Sequence, residues 1–315
     1  MPRPPRGTGL NRRAVLGGLA ATVASASLSP SKLLAQAAKS EVTVINPRIS
    51  VISGLGGNIL VRSGGGGVTL VDSGDAVHAD ALAGAIEDIG GTGGIRTLFN
   101  THWHLDQVGG NAMIRAQGAD VIAHEKTYQH LATPCYLPDE DRYLPAQPEA
   151  ALPTERFYDE GTIELDDETV RYAYLLEAHT DGDIYVRFER DNVIAAGGAI
   201  SPVRDPELDW YGGGWLGGRL DSLKRLLEIS DSSTRFVPSY GPVVGRSYVQ
   251  AELDLMSGLY DILWERIRAG ESAEDIYESG RLDALPRRFD DPMKLLYDAQ
   301  KSMWAHYNTL SPDIV

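Results

Sequence analysis

Cysteine is almost missing from this chain. One residue in 315, Cys135, carries a thiol, so no disulfide can close within the chain. No reactive motif surrounds it, and a small buried apolar residue is the expected role rather than a nucleophile. Positive charge is also scarce: 29 Lys and Arg stand against 44 Asp and Glu, a formal net charge of -15. A nucleic-acid backbone needs a basic surface, so this deficit excludes that class of partner. Long hydrophobic runs are lacking too. The run Ala14 to Leu28 is too short and too rich in Gly, Ala and Ser for a stable membrane span. Neither short-period repeats nor a low-complexity domain occurs. The glycine runs "GLGGN" and "SGGGGV" lack the lysine and the strand-to-helix setting of a phosphate loop, and they read as turns between strands.

What is present is an ordinary globular composition, 43% hydrophobic and 23% charged, with length enough for one large domain. The N-terminus stands apart. In "NRRAVLGGLAATVASASL" the pair Arg12-Arg13 directly precedes the weakly apolar run, and Ala35-Gln36-Ala37 offers a small-x-small cleavage site. Residues 1–37 therefore read as a twin-arginine export signal, read by the twin-arginine machinery and delivering the chain to the periplasm or beyond. That segment holds five Lys/Arg and no Asp/Glu, so its removal moves the formal charge from -15 to -20. The remainder, 38–315, is expected to form one domain with C-terminal helices.

Beyond the signal, "EVTVINPRISVIS", "GNILVRSG" and "GVTLVDSG" read as strands divided by Gly-rich turns. "AVHADALAGAIEDIG" has helical spacing and stops on Gly90-Gly91. "IRTLFNTH" is a buried strand, "NAMIRAQG" a short helix and "DVIAHEK" another strand. A polar, irregular loop is expected from about Thr133 to Pro153. A second strand set follows in "TIELDDETVRYAYLL", "IYVRFER" and "NVIAAGG", then a helix from Leu216 to Ile229, a strand at "RFVPSYG" and helices to the end. The order suggests two similar halves, each a sheet with helices outside.

One stretch carries chemistry: "FNTHWHLDQVGGN", Phe99 to Asn111. If it is extended, alternate side chains share a face, which puts His102, His104 and Asp106 together at the mouth of a buried strand. Catalytic zinc takes three protein ligands and leaves a fourth position to water. The best third ligand is His179, in "EAHTDGDIYVRF", at a loop before a strand. His78, His130 and His306 lie in expected helices and are read as solvated or packed. His124 ends a strand and has no partner motif.

The segments "THWHLDQVGGN", "AHTDGDIYV" and "VPSYGPV", with "VTLVDSG" upstream, resemble the metallo-β-lactamase-fold hydrolases over roughly Glu41 to Gly245. The resemblance implies an α/β fold, a four-layer αββα sandwich with two mixed β-sheets between helices and a metal site at one edge. It implies zinc at a first position held by His102, His104 and His179, with Asp106 matching the aspartate of a second position. Three departures from the family pattern all fall on that second position. Gln107 stands where a histidine is usual, Gly198 where a bridging aspartate is usual, and Tyr240 where a histidine is usual.

One Zn²⁺ per chain is the resulting expectation. Three neutral imidazoles leave the full charge of the ion acting on its water, whose pKa falls to about 7, so a zinc-bound hydroxide remains available. Asp106 is then free to orient it and shuttle a proton. Tyr240 is a candidate donor to an oxyanion or leaving group, and Gln107 a candidate helper to either. With one metal, acyl chemistry on a small-molecule ester, lactone or lactam is easier to sustain than phosphodiester cleavage. Tyr136, Tyr143, Trp210, Tyr211 and Trp215 are expected in loops at the site edge, suited to an apolar or ring-bearing substrate. Two other readings stay open: a non-catalytic binding protein that keeps the fold, and an iron-dependent oxygenase using two His and an Asp.

Overall fold

This computed structural model describes residues 40–64, 66–91, 93–165 and 167–310, the side chains of 307–310 excepted. The expected export signal, 1–37, lies outside them.

Strands alternate with helices because apolar residues repeat first with period two and then with period 3.6. Strands β1 (Glu41–Val44), β2 (Ile49–Leu55), β3 (Gly57–Gly64) and β4 (Gly67–Val71) form an antiparallel meander. The direction then changes. Strands β5 (Ile95–Phe99), β6 (Asp120–His124) and β9 (Glu155–Phe157) add in parallel, giving a seven-stranded mixed sheet in the order β1-β2-β3-β4-β5-β6-β9. Each parallel step needs a crossover. Helix α1 (Ala79–Asp88) supplies the first, and the short helices α2 (Leu105–Val108) and α3 (Asn111–Arg115) the second.

The second sheet has six strands in sequence order: β10 (Glu160–Leu165), β11 (Glu168–Tyr174), β12 (Ile184–Phe188), β13 (Val193–Gly197), β14 (Arg235–Pro238) and β15 (Val244–Gly245). Only β13 and β14 run parallel, joined across α5 (Leu216–Glu228). Helices α6 (Arg246–Arg268), α7 (Ala273–Glu278) and α8 (Pro292–Leu310) complete the chain, and α4 (Glu125–Ala132) follows β6.

The buried apolar side chains divide into layers that define the architecture. Between the sheets lie Ile49, Val51, Leu60, Val71 and Phe99 of the first and Val170, Ile184, Val186, Phe188 and Val237 of the second. On the outer face of the first sheet, Ile52, Ile59, Leu70 and Leu98 pack on Leu82 and Ile86 of α1 and Ile114 of α3. On the outer face of the second, Ile194 and Phe236 pack on Leu223 and Leu226 of α5 and Leu255, Met256 and Leu259 of α6. The result is the expected α/β sandwich of helix, sheet, sheet and helix.

Two local expectations change. The loop after α4 is not irregular throughout. It contains a hairpin of β7 (Cys135–Leu137) and β8 (Arg142–Leu144), in which Tyr136 faces Tyr143 with ring centroids 5.2 Å apart. Such cross-strand aromatic pairs stabilise a hairpin that polarity alone would not reveal. The metal-ligand segment is also not extended to its end. Backbone at His104 is extended, but Leu105 to Val108 turn into one helical turn, so Asp106 sits in that turn and not on a strand face shared with the histidines.

Strand direction positions the site. Parallel strands β4 and β5 end at Val71 and Phe99, and β13 and β14 end at Gly197 and Pro238. The backbone stitches these ends together: Asp72 N–H donates to the Phe99 carbonyl, Ser239 N–H to Gly197, Asn58 N–H to Ser239 and Ile184 N–H to Thr101. The carboxyl ends of parallel strands are where open α/β sheets place their ligands.

Candidate metal centre

His102 and His104 leave the end of β5, and His179 stands in the loop before β12. The fold brings the three rings into a triangle, with centroids 4.9, 4.7 and 4.8 Å apart and planes at 84°, 84° and 88°. One ligand atom from each lies within 4.8 Å of the others. His102 and His179 are buried and His104 is half-buried.

Two of the rings are braced, and the third is held through its backbone. Thr101 Oγ1 lies 2.9 Å from His102 Nδ1, and that threonine donates to Asp72 through both its N–H and its hydroxyl. The His104 Nε2 pairs with buried Asp209 at 2.9 Å. The backbone N–H of His179 donates to Asp183, which also accepts from Thr180 N–H and hydroxyl. These contacts commit one nitrogen of His102 and one of His104, leaving Nε2 and Nδ1 respectively for an ion. His179 Nδ1 is buried without a hydrogen-bond partner.

Electrostatics sharpen the arrangement. Burial, then the neighbouring His179 and His104, hold the His102 pKa well below its ordinary value, so this ring is neutral as a ligand must be. Burial also opposes a charged His179. The Asp183 and Glu207 carboxylates, each 3.7 Å from a ring nitrogen, outweigh that and lift the imidazole to about 10. An ion arriving there displaces a proton. Asp72 is pushed up to about 7 by burial, against the two hydrogen bonds from Thr101.

These donors suit a metal ion of the kind the fold family carries. Three imidazoles at mutual right angles, with two ring orientations fixed from behind and one buried nitrogen unpartnered, could hold a metal ion as three ligands of a tetrahedral site.

The other expected residues separate. Asp106 and Tyr240 line the same pocket as the three histidines, and the Tyr240 hydroxyl donates to Asp106 Oδ2. The phenol is engaged by the carboxylate and not held open for a substrate oxyanion. Gln107 does not line that pocket. Its side chain is fully buried against Gly57, and neither amide atom has a hydrogen-bond partner. Gly198 lines the pocket beside His179, and a Cβ there would stand 2.2 Å from His179 Nδ1. A carboxylate at that position is sterically incompatible with the present His179 ring.

None of Tyr136, Tyr143, Trp210, Tyr211 and Trp215 lines the pocket. Tyr211 packs with Trp103 and Leu131 beneath the hairpin, and Trp215 packs on His306. His130 stacks on Trp103 and pairs with Asp181, and His124 stacks on Tyr174. Cys135 is half-buried against the same apolar cluster as Tyr211.

Sequence reasoning missed Ser201, Arg204, Asp205, Glu207 and Ser239, which complete the pocket, and Asp209 behind His104. Segment 198–209 follows β13 with no motif to flag it. Ser239 lies inside "VPSYGPV", and Asp72 and Asp183 likewise lie inside segments singled out from the sequence.

Residues 54–236 match the family described as the metallo-beta-lactamase superfamily. Among solved structures, a metallo-beta-lactamase from Pontibacter korlensis aligns with 20% identity and a TM-score of 0.56, covering 70% of this chain and 99% of that one. The DIM-1 metallo-beta-lactamase aligns with 17% identity and a TM-score of 0.55, covering 70% and 97%. The inverting sec-alkylsulfatase Pisa1 from Pseudomonas sp. aligns with 13% identity and a TM-score of 0.65. That match covers 87% of this chain but 51% of the sulfatase, about half its length. No curated protein matches the chain.

Proposed function

This chain belongs to the metallo-beta-lactamase superfamily, and on that premise we propose that it is an exported zinc hydrolase with one ion per chain. The observation that carries the proposal is the triangle of His102, His104 and His179, with a ligand atom from each within 4.8 Å. Zinc bound there supplies a Lewis acid that brings water to a pKa of about 7.

The chain's own residues supply the remainder. Asp106 lies at the pocket wall, where its carboxylate accepts a proton during nucleophilic attack and returns it to the leaving group. Tyr240 orients it by donating its hydroxyl to Oδ2, which leaves Oδ1 for the nucleophile. Thr101 and Asp209 keep two of the imidazoles aimed during turnover, and Asp183 holds the third residue through its backbone N–H. Gln107 has no step in this scheme, because its amide lies outside the pocket. The substrate class is an ester, lactone or lactam, which one ion can process without a two-metal clamp.

The iron-oxygenase reading is disfavoured. It needs two histidines and a carboxylate around the ion, whereas the cluster here is three histidines, with Asp106 committed to Tyr240.

The test is metal content by mass spectrometry on protein purified without added metal, with hydrolysis of esters, lactones and lactams followed on the same samples. About one zinc per chain together with turnover supports the proposal. Zinc without turnover of any of these makes the chain a binding protein, and iron in place of zinc ends the hydrolase reading. Export is tested separately: Arg12→Lys with Arg13→Lys is expected to keep the precursor in the cytoplasm, because the pair is read as an address. Normal delivery of that double variant refutes the twin-arginine assignment.

A further inference from the structure

Segment 198–207, which closes the pocket after β13, is fixed by charges that the hydrolytic scheme does not use. Arg219 of α5 is fully buried and pairs with equally buried Glu252 of α6 at 2.7 Å. Its Nη1 donates to the carbonyls of Gly198 and Glu207, and its Nη2 donates to Ser201 Oγ. Glu252 accepts from Ser201 N–H, while Tyr248 and Arg287 donate to the Ser201 carbonyl. Arg287 also donates to the carbonyl of Arg204. The backbone of this pocket segment is therefore held in place.

That segment carries Arg204. Its guanidinium lies over the Tyr240 ring, 3.4 Å from the centroid, and lines the pocket with Asp106 and the histidines. Among the described residues no carboxylate pairs with it. The pocket is otherwise lined by Asp106, Asp205 and Glu207, an acidic set that draws divalent cations in, with Asp205 also accepting from the N–H groups of Asp290 and Asp291. Tyr240 stands where the family pattern places a histidine ligand, and its hydroxyl is engaged by Asp106.

We propose that Arg204 is the resident cation of the second metal position. Stacked on Tyr240, its guanidinium supplies a fixed positive charge beside Asp106 and shuts a second divalent ion out of the pocket. The stack suits the task, because a guanidinium gains on an aromatic face what a compact ammonium gains less well. Arg204 is exposed, so a second ion would meet the repulsion of a charge pair near a protein surface, which at contact distance is still about fourfold stronger than in bulk water. The inference rests on the three-histidine zinc reading, and the experiment separates the two.

The experiment is equilibrium dialysis against zinc and against cobalt, with ions per chain counted by mass spectrometry and folding checked by circular dichroism. The native chain is expected to hold one ion. Tyr240→His is expected to hold one as well, since the new ligand still faces Arg204. Tyr240→His with Arg204→Gln is expected to take up a second ion at least about tenfold more tightly than Tyr240→His alone, and Tyr240→His with Arg204→Lys to fall between the two, since the ammonium keeps the charge but is held less well against a ring. If the Gln double variant stays at one ion, or Tyr240→His alone gains the second as tightly, Arg204 is not the excluding charge and the zinc reading survives. If the native chain holds no ion at the triad, both fall.

Discussion

Two neighbouring patches of one pocket are built to opposite standards. Behind the histidine triangle the rings of His102 and His104 have a hydroxyl or carboxylate brace, His179 is held through its backbone by Asp183, and these partners are themselves satisfied: Asp72 by Thr101, Asp183 by Thr180, Asp209 by Gly212 N–H and His104. At the adjoining position Gln107 is sealed against Gly57 with both amide atoms unpaired, Gly198 has no side chain, and Tyr240 is bonded to Asp106. The contrast teaches that metal competence resides in the shell behind the ligands as much as in the ligands. Where that shell is kept, three imidazoles converge. Where it is gone, Gln107 serves packing and Tyr240 holds Asp106 instead of an ion.

The most severe test of that contrast is to remove a ligand from the braced patch. His179→Ala is expected to abolish metal retention and reduce hydrolysis to background, whereas Tyr240→Phe is expected to retain the ion; metal analysis of both proteins decides. Next is Asp106→Asn, expected to cut turnover by about 10²–10⁴-fold, the usual worth of a positioned acid–base group, with the ion still bound. Loss of ion and activity in parallel would instead make Asp106 a ligand and blur the boundary between the patches.

A brace is worth less than a ligand. Asp209→Ala is expected to weaken metal affinity by about 10–100-fold through loss of His104 orientation, measured by chelator competition. The smallest effect falls on the unbraced patch. Gln107→Met keeps the shape and removes two unpaired buried polar atoms, each such group costing about 1–3 kcal/mol. The variant is expected to melt no lower than the parent and up to a few degrees higher, with metal content unchanged. A clear drop in melting temperature would show that Gln107 has a partner it depends on, such as a buried water.

Much of the sandwich was legible in the residues, because alternating Val, Ile and Leu, with glycines at turns, dictates strands locally. His102, His104 and His179 were legible for a related reason: short motifs beside strand ends keep their spacing when the chain folds. The pocket wall from Ser201 to Asp209 was not. Its residues owe their positions to Arg219 and Glu252, which are distant in sequence and carry no local pattern. The hairpin at Tyr136 and Tyr143 was hidden for the same reason, a pairing across a turn in a stretch that reads as polar loop. Asp106 was placed correctly in the pocket by a wrong route, since its helical turn, not strand alternation, brings it there.

The glycine at 198 also bears on what could be put back. With His179 Nδ1 2.2 Å from where a Cβ would stand, the His179 ring occupies space that a side chain at 198 would need. Restoring aspartate there by one substitution pushes His179 aside and damages the working half of the pocket before it can rebuild the other.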